Sequence, residues 1–159
     1  MYNHFSELNI TDVEYGYLNP SPLTCFCLMA HVDGRPPPEI YNRFLEFHHY
    51  YESKSAIYEL VKRDTINAMK EFRAEVVLGV AAGGADLSPW DILSETKRIL
   101  GTKVIEDEAN LFKTELVLIS VETIKILSGT SEVEPSSAQA QMLGRIVKAI
   151  NINTNPFIV

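Results

Sequence analysis

The run Thr24-Cys25-Phe26-Cys27-Leu28-Met29-Ala30-His31 sets four soft metal ligands, Cys25, Cys27, Met29 and His31, at alternate positions. Read as a strand, that spacing puts all four on one face. Distance argues against a shared ion. Six residues of strand run roughly 20 Å at about 3.3 Å each, whereas ligands must lie within about 2.3 Å of a metal. Thr24, Phe26, Leu28, Ala30 and Val32, on the other face, are almost all apolar. The stretch therefore reads as a core strand buried on both sides, with cysteine and methionine as ordinary packing residues.

A second constellation is Glu46-Phe47-His48-His49, whose Glu-x-x-His step is used twice by helical di-metal carboxylate proteins. The apolar stripe of that helix runs through Ile40, Phe44, Phe47 and Tyr51, which turns Glu46 and His49 away from a bundle centre and leaves His48 on the flank. No second Glu-x-x-His exists, because neither His4 nor His31 has a glutamate three residues before it. A dinuclear centre is not expected.

Carboxylates beside apolar surface form a third pattern. Glu108, Glu115 and Glu122 recur every seven residues on one helix, and Asp64 and Glu71 project near Ile57 and Leu60 on another. Unpaired burial of such groups is expensive, so the simplest expectation is that they rim the core and reach water. The alternative is a divalent-metal-dependent enzyme in which Asp64, Glu71, Glu108 and Glu115 hold the cation and His48 or His49 moves protons.

A basic face on the second of these helices, Lys62, Arg63, Lys70 and Arg73, admits a third reading as a small nucleic-acid-binding protein. The charge balance speaks against it: 21 acidic residues outweigh 14 basic ones, for a net charge of −7. Three glycines in Gly79 to Trp90 lack the Lys-Ser/Thr pair of a phosphate loop. No Gly-x-Ser-x-Gly motif is present either.

Those residues need a scaffold. The 159-residue chain, 46% hydrophobic and 22% charged, has the composition of a globular domain able to bury a core without staples. We expect a single domain over 1–159, mainly α in an α+β class, with about five helices and an N-terminal β-hairpin. In residues 1–37, Val13, Tyr15 and Tyr17 alternate as one strand; a turn at Asn19 to Pro22 leads to a second, Leu23 to Val32. Residues 38–150 carry helical periodicity: a helix from Ile40, one from about Ala56 capped by Ser55 and ending at Gly83-Gly84, one opened by Ser88-Pro89-Trp90-Asp91, one over Val104 to Leu127, and one over Ala138 to Ile150. Residues 151–159 form a tail ending in Pro156-Phe157-Ile158-Val159.

No run approaches the roughly 20 apolar residues of a membrane span, and no basic-then-apolar leader opens the chain. Two cysteines suit reduced thiols, so a cytoplasmic protein is expected, with no cofactor. No complete catalytic constellation emerges. The favoured expectation is a non-catalytic protein–protein interaction or assembly protein, homo-oligomeric. Its partner is another protein, with a second copy of the chain first in line, and Pro156, Phe157, Ile158 and Val159 are the partner-binding candidates.

Overall fold

The structure, a computed structural model, describes residues 9–34, 36–71, 88–129 and 133–152. Seven helices are seen among these residues: α1 (Asp12–Leu18), α2 (Ser21–Ala30), α3 (Glu39–Tyr50), α4 (Ala56–Glu71), α5 (Pro89–Lys103), α6 (Glu106–Ser128) and α7 (Ser137–Ile150). The described residues contain no strand, so the expected hairpin, and with it the α+β class and the count of five helices, is overturned.

Local chemistry explains the correction. Thr11 accepts a hydrogen bond from the Glu14 amide at 3.1 Å, and Glu14 accepts one from the Thr11 amide at 3.0 Å. This capping box starts α1 where alternation of Val13, Tyr15 and Tyr17 implies a strand. Pro22 lies in the first turn of α2, where its fixed φ and missing N–H do no harm. The apolar run that follows has no polar face because every residue of α2 except Leu28 is buried. A short run with no periodicity is compatible with a buried strand or a buried helix, and here α2 is the central helix, packed against α4, α5, α6 and α7.

The later elements follow their sequence signals closely. Ser88 caps α5 in a box with Asp91, with Pro89 at the first helical position. Ser136 and Gln139 cap α7 in the same manner. Helix α6 stops at Gly129, whose φ of 71° is the left-handed conformation that glycine adopts without strain. The expected stop of α4 at Gly83-Gly84 lies outside the described residues.

Leu18, Phe26, Phe44, Ile57, Leu93, Phe112, Leu116 and Ile146 belong to one contiguous core, to which every helix contributes. Aromatic rings form much of its α2–α3–α4 side. Phe26 stacks on Phe44 with centroids 3.9 Å apart, and Tyr58 lies between Tyr51 and Phe112 at 6.1 and 6.3 Å. At the other side Arg145 of α7 sits 4.2 Å above the Trp90 ring of α5.

Candidate functional site

A dense set of polar contacts lies where the α3–α4 connector, residues 51–55, meets α6. Ser55 is completely buried and caps α4: its Oγ accepts the Tyr58 amide at 3.1 Å. The same hydroxyl donates to Glu108 Oε1 at 2.8 Å, and that oxygen also accepts the Ile57 amide at 3.0 Å. A carboxylate of α6 thus satisfies one open N–H group of another helix, that of Ile57, and faces the positive end of its dipole.

One heptad further along α6, Glu115 is 5% exposed and accepts the Tyr51 hydroxyl at 2.5 Å. Burial, then this hydrogen bond, pushes the Tyr51 phenol well above its usual value. Lys62 of α4 donates to the Tyr51 carbonyl at 2.5 Å and pairs with Glu59 at 3.3 Å. Glu59 in turn accepts the Ser53 amide at 2.7 Å. The connector is therefore anchored from both α4 and α6. Glu122, the third of the series, pairs within its own helix with Lys125 at 3.7 Å.

His48 is buried behind this layer. Its Nδ1 lies 3.2 Å from the Phe44 carbonyl, which can only accept, so Nδ1 carries the proton. The Nε2 lone pair then accepts the Tyr58 hydroxyl at 2.9 Å. Burial is the main force holding the imidazole neutral, down to about 4 from 6.5. The sequence reading put His48 on the flank, but it is fully enclosed because it stands four residues after Phe44, on the same face. That spacing was visible in the sequence; the stripe drawn through Phe47 and Tyr51 is rotated from the true one by roughly 45° at 100° per residue.

The remaining candidates are scattered. Asp64 is half-buried and accepts a hydrogen bond from the Tyr15 hydroxyl of α1. His49 is exposed. Glu71 closes the described part of α4, while Arg73 and Pro156, Phe157, Ile158 and Val159 lie outside the described residues. No group of three metal-ligating side chains occurs among the described residues. Cys25 and Cys27 are free and buried, and Met29 is fully enclosed; His31 instead caps α2 and meets the Tyr41 hydroxyl at 3.2 Å. On a helix Cys25 and Cys27 no longer share a face, whereas Cys25 and Met29 do.

Glu115 departs from the expected rim position, since it is buried and hydrogen-bonded rather than hydrated. Lys62, expected on a solvated basic face, has a side chain only 14% exposed and already engaged. Most of the apolar surface of α6 is absorbed within the chain, leaving Leu118 at 38% exposure.

One surface feature stands apart. Arg43, Glu46, Phe47, Tyr50 and Tyr51 of α3 and its end, with Glu122 and Ile126 of α6, line an open groove of about 390 Å³. Tyr50 is 82% exposed at its edge. Its lining mixes aromatic and aliphatic side chains with one arginine and two glutamates. Sequence reading had Phe47 and Tyr51 in the core stripe; both are only partly buried, and the groove exists because they are. Comparison of the chain with family models, curated proteins and solved structures returned no match.

Proposed function

We propose that the chain is a non-catalytic protein-interaction or assembly protein that recognises its partner through the α3–α6 groove. The observation carrying this reading is the groove itself, which Phe47, Tyr50, Tyr51 and Ile126 line together with Arg43, Glu46 and Glu122. Protein interfaces have this anatomy, an aromatic centre enriched in tyrosine and arginine inside a polar rim. Ligand pockets for small molecules are instead enclosed and bury most of their occupant, which an open groove does not do.

Three of the four carboxylates that could hold a cation support the same reading by their occupation. Glu108 is committed to the cap of α4, Glu115 to Tyr51 and Asp64 to Tyr15. Each is satisfied by a protein donor and holds an element in place. The buried thiols Cys25 and Cys27 fit a reducing compartment such as the cytoplasm, which belongs to this proposal.

The test is site-specific photo-crosslinking in the native cells. A photoreactive residue at position 50 is expected to give discrete protein adducts, whereas one at exposed Lys97 gives none. Absence of adducts at position 50, or equal labelling from position 97, rejects the groove as the recognition surface.

A further inference from the structure

We infer that the α3–α4 connector is an acid-released latch and that His48 is its trigger. Charging the enclosed ring unseats the last turn of α3 and takes the connector with it, between an anchor at Phe44 and a stop at Ser55.

The ring has no place for a second proton. His48 is fully enclosed, its Nδ1 donates to the Phe44 carbonyl at 3.2 Å, and its Nε2 accepts the Tyr58 hydroxyl at 2.9 Å. A proton on Nε2 would meet the Tyr58 hydrogen, and no second acceptor for that hydroxyl is seen among the described residues. The added charge would gain no counter-ion either. Lys62 of α4 and His49 of α3 oppose it. Cys25 of α2, near Tyr58, is a neutral thiol. Glu115 of α6 is already taken by the Tyr51 hydroxyl. No ion pair to His48 occurs among the described residues. An uncompensated charge is expensive in an apolar enclosure, so the ring takes its proton by reaching water.

The anchors on either side decide which segment moves. Phe44 is 1% exposed and stacks on Phe26 at 3.9 Å. Ser55 is buried and tied to Glu108 at 2.8 Å. Between them the connector is held by polar ties: Tyr51 to Glu115, Lys62 to the Tyr51 carbonyl, and Glu59 to the Ser53 amide. Helix α3 ends at Tyr50, and a helix end opens at lower cost than a helix middle. The last turn of α3 is therefore the way out for the ring, and Tyr51 must follow. Phe47, Tyr50 and Tyr51 ride on this segment and line the α3–α6 groove, so the same movement takes that surface apart.

Amide hydrogen exchange of the full chain from about pH 7 to about pH 5, the range in which a free imidazole titrates, reads the latch. Rates are corrected for the intrinsic pH dependence of exchange. The Tyr51 amide, bonded to the Phe47 carbonyl at 3.0 Å, is the reporter, while the Ile57 and Tyr58 amides lie beyond the Ser55 cap. With the ring at about 4 when enclosed and 6.5 when released, Tyr51 protection should fall about twentyfold over this range. Ile57 and Tyr58 should keep theirs. His48→Gln, whose amide oxygen can accept from Tyr58 but which takes up no proton, should abolish the fall. Tyr51 protection that does not change with pH, a fall shared equally by Ile57 and Tyr58, or an undiminished fall in His48→Gln each overturns the latch. Should His48→Gln not fold, the contrast between Tyr51 and Ile57 in the wild type decides alone, since ordinary carboxylates titrate lower, at about 4.

Discussion

Tyr51 donates its phenolic hydrogen to the buried Glu115 carboxylate at 2.5 Å, joining positions 64 residues apart in the chain. Hydrogen bonds to charged groups contribute about 1.5–3 kcal/mol, and a buried carboxylate stripped of its donor costs at least as much. Tyr51→Phe is therefore expected to destabilise by about 2–3 kcal/mol. Adding Glu115→Gln to it should cost less than the sum of the singles, with a coupling of about 1–2 kcal/mol in urea denaturation. Strict additivity would show that the two groups do not meet.

Glu108 and Ser55 cap α4 jointly, so removing either should loosen the same turn. Ser55→Ala is expected to cost about 1–2 kcal/mol, and Glu108→Ala a similar amount. Hydrogen exchange gives the specific readout. The Ile57 amide, bonded to Glu108, should exchange faster in Glu108→Ala, and the Tyr58 amide, bonded to Ser55, should do so in Ser55→Ala. Uniform acceleration across the chain would point to global destabilisation without a cap.

His48 makes acid stability titratable. The folded imidazole is held down to about 4 from 6.5, so between those values the unfolded chain binds a proton that the folded one refuses. Its contribution is intact above pH 6.5, falls by about 1.4 kcal/mol per unit on acidification, and levels off below pH 4. Carboxylates titrate in part of the same range, so the quantity to measure is the difference between wild type and His48→Gln. That difference should narrow as pH drops from 7 to about 4. A constant difference would mean that His48 is not held neutral.

Burial raises the Cys25 thiol to about 12, against an opposing hydrogen bond from Ser120, and burial raises Cys27 as well. Thiolate is the reactive species, and neither sulfur is open to reagent. Ellman's reagent at pH 8 is expected to find almost no reactive thiol in the native chain and both after denaturation. Rapid native labelling would place Cys25 or Cys27 at the surface.

Sequence reading succeeded where a local rule decides. Ser88-Pro89-Trp90-Asp91 and Ser55 each carry their own cap chemistry, and the amphipathic α7 shows its buried Leu143, Ile146 and Ile150 in the periodicity. It failed at α2, where central burial erases the periodicity that separates helix from strand. Local signals were nonetheless present: Pro22 in the first turn of α2 and, for α1, Thr11 with Glu14 as a capping box. The connector ties were beyond its reach. That Glu108 and Glu115 share a face follows from their spacing, but that Ser55 and Tyr51 lie against that face depends on how α3, α4 and α6 pack. The groove was hidden for the same reason, since Phe47 and Tyr51 look like core until the depth of α3 in the bundle is known.

The two anchors of the connector, Glu108 and Glu115, stand seven residues apart on α6, a rise of about 10.5 Å. Their side chains point the same way only while that count is kept. One residue added or removed between them would swing the second carboxylate by about 100° around the helix axis, beyond the reach of Tyr51. Exposed positions in that interval, such as Asn110 and Thr114, can drift in identity, but its length cannot. Length variation in descendants of this chain is therefore expected to fall in the polar segment joining α6 to α7, while the interval from Glu108 to Glu115 stays constant.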